Sequence, residues 1–167
     1  MSKNVFWACV FIVIAALLES TLLSRLAVFR AVPDLALGIL VFTAYVNGTM
    51  TGQVTGFCSG ILLDFISAAP LGFNAFIRVL AGAIIGLLKG TLFLDAVFLP
   101  MALCAAATLF KALLAFILHL LFAGAVPTYS VSSPVLWVEL MFNTFSAPLL
   151  FALLKLFKPI LIGKEVK

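Results

Sequence analysis

Eight residues in largely apolar surroundings have side chains that could do chemistry: Glu19, Asp34, Asp64, Asn74, Arg78, Lys111, His119 and Glu139. Groups of these types inside apolar runs can form structural ion pairs, line a polar pocket or pass protons, and ionisable residues within membrane segments are functional candidates by default. Asp64 and Arg78 flank the turn "SAAPLG", so one acid faces one base across it, and their spacing predicts an ion pair. Lys111 lies deep in a long apolar run, where it needs a partner or water. Glu139 and Glu19 are the acids it could reach. His119 follows Lys111 by about two turns on roughly the same face, so a proton relay of Lys111, His119 and Glu139 stands as an alternative to a structural pair. Asn74 and Asn143 can join an outer polar cluster or cap and bridge helices. The alternative role for Asp64 or Arg78 is to line an outward-facing pocket.

Catalytic signatures are missing. There is no Gly-x-Ser-x-Gly elbow, no phosphate-binding loop and no His/Cys set at metal-ligand spacing. Cys9, Cys58 and Cys104 fall in apolar runs and read as small buried hydrophobes, not as a disulfide framework. No cofactor, metal or enzymatic activity is expected. The basic tail lacks a nucleic-acid pattern and suits anionic lipid headgroups instead.

The elements that must position these side chains are apolar helices. The chain has 167 residues, 65% hydrophobic and only 10% charged, with a mean hydropathy of +1.33. Soluble domains are about half apolar and about a quarter charged, so lipid is the solvent that this composition fits. A spanning helix needs about 20 apolar residues. The expected fold is an all-α polytopic bundle, one integral membrane domain over 1–167, with helices at about 5–24, 33–47, 50–67, 73–93, 97–122 and 135–157. Pro33 suits the first turn of the second, where its missing N–H costs nothing. That helix is short for a span.

Lysine and arginine favour the cytoplasmic side. Lys3, Lys89, Lys155, Lys158, Lys164 and Lys167 share one side if both termini are cytoplasmic, against Arg25 and Arg30 on the other. Both termini inside is therefore expected. Glu19, Asp34, Asp64, Arg78, His119 and Glu139 then collect in the outer half of the bundle.

The third and fourth expected helices carry a glycine pattern. Gly52, Gly56 and Gly60 recur every fourth residue and lead to Asp64; after Arg78, Gly82, Gly86 and Gly90 repeat the interval. Residues four apart lie only about 40° apart around a helix, so each set forms a stripe without side chains. In lipid such stripes let helix backbones pack closely. If the helices pair about Leu71, Gly60 meets Gly82, Gly56 meets Gly86, Gly52 meets Gly90, and Asp64 meets Arg78.

The stretches "LLESTLLSRL" (17–26), "VPDLALGILVF" (32–42), "GQVTGFCSGILLDFISAAPLGFNAF" (52–76) and "AGAIIGLLKG" (81–90) resemble the bacterial rod shape-determining protein MreD family. Pro33-Asp34-Leu35, Gly60 to Asp64 and Pro70 to Asn74 match best. The resemblance implies a small multi-pass protein of the bacterial inner membrane, within the machinery that directs peptidoglycan synthesis along the cell's sides. It implies binding to MreC, a single-span protein with a large periplasmic part, alongside the filament protein MreB and the RodA glycosyltransferase with its transpeptidase. It also implies an architecture similar to the substrate-binding subunits (S-components) of energy-coupling-factor vitamin transporters. A transporter subunit of that type is the alternative function, though the outer loops here are short for one.

Overall fold

The computed structural model describes residues 3–21, 32–67, 69–90, 97–122, 126–128 and 134–161. Arg25, Arg30, Lys164 and Lys167 lie outside the described residues, as do most of the charge-free segment 123–134 and the expected helix ends 22–24 and 91–93. Among the described residues the structure is all-helical. Its helices are α1 (Lys3–Thr21), α2 (Leu35–Asn47), α3 (Thr49–Ile66), α4 (Phe73–Leu87), α5 (Phe98–Leu121), α6 (Pro134–Leu156) and a short α7 (Lys158–Leu161). The six expected helices omit α7. The fourth is shorter than expected, because the chain turns at 88–90 and Gly90 takes φ +72°.

α2 is the axis of the bundle. It contacts α1, α3, α4, α5 and α6, and Ala36 to Ala44 are buried without interruption. A helix apolar on every side belongs inside other helices. Its 13 residues extend only about 20 Å, which suits an interior element. Its start is set by Asp34, whose carboxylate accepts the Leu37 N–H at 2.8 Å, an acidic N-cap. Gly48 follows at φ +96° and turns the chain directly into α3. Pro134 opens α6 and Pro100 lies in the first turn of α5, positions where a missing N–H is harmless.

The core joins Ala8 and Ile12 of α1, Leu37, Leu40 and Phe42 of α2, Leu103 and Ala107 of α5, and Phe151 and Leu154 of α6. Phe42 packs edge-on against Phe151 with ring centres 5.1 Å apart. The polarity is inverted relative to a water-soluble domain. Leu149, Phe65, Leu121, Phe145 and Leu120 are exposed, whereas Asp64, Arg78, Glu139 and Asn143 are buried. α5 and α6 are long and apolar enough to cross a membrane.

The glycine stripes of α3 and α4 do face each other. A methyl group on Gly52 would strike the Gly82 carbonyl oxygen, one on Gly56 the Arg78 carbonyl oxygen, and one on Gly60 the backbone of Ala75. These are backbone obstacles that cannot swing aside. The mirror register is wrong, however. Gly52 opposes Gly82 and not Gly90, Gly86 lies against Thr49, and a methyl group on Gly90 would meet open space. α4 is displaced by eight residues, about two turns, because its N-terminus is anchored beside Asp64 instead of being level with the end of α3.

Candidate functional site: a buried ionic cluster beside a polar cavity

Asp34 is the hub. Arg78 on α4 donates through Nη2 to both of its oxygens, at 2.7 and 2.9 Å. Lys111 on α5 donates through Nζ to Asp34 Oδ2 at 2.8 Å and to Glu139 Oε1 at 2.6 Å. The Asp34 backbone N–H donates to Asn143 Oδ1 at 2.7 Å. Asn143 Nδ2 in turn donates to Thr108 Oγ1 at 2.9 Å, and that hydroxyl donates to the Cys104 carbonyl. On the α1 side, Glu19 Oε1 accepts the Ala36 N–H at 2.8 Å. Four helices, α1, α4, α5 and α6, are thus tied to the first turn of α2.

Local spacing makes this possible. Thr108 and Lys111 are three apart on α5, and Glu139 and Asn143 four apart on α6, so each pair shares a helix face. The ion pairs are little exposed: side-chain accessibility is 3% for Arg78, 10% for Asp34 and 15% for Lys111. Charges removed from water this far are tolerated only when paired and hydrogen-bonded. Such pairs add little net stability over an apolar core, but removing one partner is strongly destabilising.

The expected Asp64–Arg78 pair does not form. Asp64 accepts the backbone N–H groups of Gly72 at 2.8 Å, Asn74 at 2.8 Å and Ala75 at 3.3 Å, and the Asn74 side-chain amide at 3.0 Å. It is the cap of α4, supplied from α3, because Gly72 stands at the N-cap with φ +92° and no side chain to offer. The first amides of a helix are unsatisfied donors carrying partial positive charge, and they satisfy this carboxylate without a cation. Arg78, one turn further on, is free to turn towards Asp34.

The expected relay is not assembled either. His119 Nδ1 lies 2.7 Å from the Val126 carbonyl oxygen, at the far end of α5, while Lys111 is engaged by Asp34 and Glu139. The sequence reading missed two things: Thr108 as a member of the cluster, and Asp34 as its centre. The three- and four-residue spacings on α5 and α6 were the available signals.

Glu19, Asp34, Asn74, Arg78, Lys111 and Glu139 line a cavity of about 300 Å³. Val32, Pro33, Ser67 and Val135 also border it, which places it at the end of the bundle where α3 stops and α2, α4 and α6 begin. A second, larger hollow of about 570 Å³, lined by Leu71, Phe73, Phe76, Leu118 and Phe122, is apolar. In the polar cavity the carboxylates face cations or backbone amides, and among the described residues no hydroxyl or thiol is paired with a base. The arrangement can hold helices together and receive polar groups.

The family model described as rod shape-determining protein MreD matches residues 1–157. The chain belongs to the MreD family. It is thus placed among membrane proteins that determine rod shape. No curated protein and no solved structure matches this MreD-family chain significantly.

Proposed function

We propose that this chain is a non-enzymatic, multi-pass subunit of the bacterial cell-elongation complex, which binds MreC and supports peptidoglycan synthesis by the RodA glycosyltransferase and its transpeptidase, with MreB on the cytoplasmic side. The observation that carries this reading is the family match across residues 1–157. The geometry is consistent with a scaffold. The buried charges are spent on tying helices together, and the exposed faces are apolar, as a partner's spanning helix requires in lipid.

The same reading places six helices across the inner membrane with both termini in the cytoplasm. One feature supports that orientation. At the cavity end the bases Arg78 and Lys111 are paired with Asp34, whereas the opposite end carries Lys89 beyond α4. A basic end is the cytoplasmic end.

The test is co-purification. The full-length tagged chain, co-expressed with the MreC of the same cell and extracted in mild detergent, is expected to retain MreC in comparable amount. Depletion of the chain is expected to round the cells. Loss of MreC on extraction, together with rods that persist on depletion, would overturn the proposal.

A further inference from the structure

The ionic cluster leaves valences unused. Arg78 spends Nη2 on Asp34, but its Nη1 is buried and without a partner. A charged donor buried without an acceptor is costly and is rarely left so. Glu19 and Glu139 border the same cavity. Among the described residues each takes a hydrogen bond at Oε1, from Ala36 and Lys111 respectively, which leaves one carboxylate oxygen apiece. The cavity therefore offers one cationic donor edge and two acceptor oxygens. Its volume of about 300 Å³ is at the small end for ligand sites.

Charge narrows the choice of occupant. Among the described residues that line it, Glu19, Asp34 and Glu139 stand against Arg78 and Lys111, three acids to two bases. A simple anion meets net negative charge, while an ammonium group is attracted. We infer that the cavity binds a small zwitterion, with an anionic oxygen on Arg78 Nη1 and an ammonium against Glu19 and Glu139. Two sources carry that chemistry: the phosphoethanolamine headgroup of a membrane lipid, and a free amino acid. Neither depends on the MreC reading.

The experiment uses the full-length chain in nanodiscs holding phosphatidylethanolamine and phosphatidylglycerol in equal amounts, followed by native mass spectrometry of the released protein. Thermal shifts with millimolar phosphoethanolamine or alanine form the second arm. A lipid source predicts about tenfold preferential retention of phosphatidylethanolamine, the scale of one charge-assisted hydrogen bond. That preference is expected to vanish in Arg78→Gln and in Glu139→Gln. Since Arg78→Gln can fail to fold, Glu139→Gln, which keeps the shape of the side chain, decides the matter alone. Without a lipid preference, a rise in melting temperature with free zwitterions, lost in Glu139→Gln, supports the soluble source. Equal retention with no thermal shift, preference for phosphatidylglycerol, or a preference or shift that survives Glu139→Gln overturns the inference and leaves a water-filled cavity.

Discussion

At the scale of single residues, two aspartates of the same chemistry do different work because their neighbours differ. Asp34 stands before a helix whose flank is reached by Arg78 and Lys111, so it accepts cations as well as the Leu37 amide. Asp64 stands across a turn from the bare N-terminus of α4, so it accepts amides. The difference has a direct consequence. Asp64→Ala is expected to destabilise the bundle by about 1–3 kcal/mol, since it orphans several donors at once. Combining Asp64→Arg with Arg78→Asp is expected to restore nothing, because the arginine would face helix amides and the aspartate would face Asp34. Fluorescence-detected size exclusion after heating reads both variants; recovery in the swap would show that Asp64 and Arg78 are paired after all.

At the scale of elements, the helices were legible because apolar runs separated by Pro33, Gly48, Pro70-Leu71-Gly72 and Gly90 leave little choice of secondary structure. The close approach of α3 to α4 was legible too, from glycine at every fourth position. Their register was not. It depends on where a carboxylate captures the first amides of α4, and a mirror pattern in the sequence carries no information about that. Arg78 reaching Asp34 was equally hidden, because those residues are 44 apart in the chain and meet only after α2 is enclosed. The short α7 went unseen: four residues, Lys158–Leu161, form a single turn that apolar periodicity does not register. The observed register makes its own prediction. Gly56→Ala drives a methyl group into the Arg78 backbone and is expected to cost about 1–3 kcal/mol by overpacking. Gly90→Ala meets open space and is expected to cost only the left-handed strain, about 1 kcal/mol. Melting temperatures of the two variants in the same detergent check the order; equal losses, or a greater loss at Gly90, would mean that the mirror register is correct.

At the scale of the whole molecule, the bundle is apolar outside and gathers its buried charges at one end, around the start of α2. The composition made the first half plain: with 10% charged residues, lipid had to be the solvent. The second half follows from it, since the few charges that enter the bundle must find each other. They converge on the start of α2, so α1, α4, α5 and α6 are all held through that one turn, and the exposed faces available to a partner are fixed by it. Asp34 is the hub on which this arrangement depends. A double-mutant cycle tests it most directly, with Asp34→Asn and Arg78→Gln alone and together, set beside Asp64→Asn with Arg78→Gln. Breaking a buried pair from one side costs about 3–5 kcal/mol. Thermal stability in detergent is therefore expected to fall sharply in each of the Asp34 and Arg78 single variants and little further in their double, while Asp64→Asn and Arg78→Gln add independently. Additivity between positions 34 and 78, with coupling between 64 and 78 instead, would contradict it.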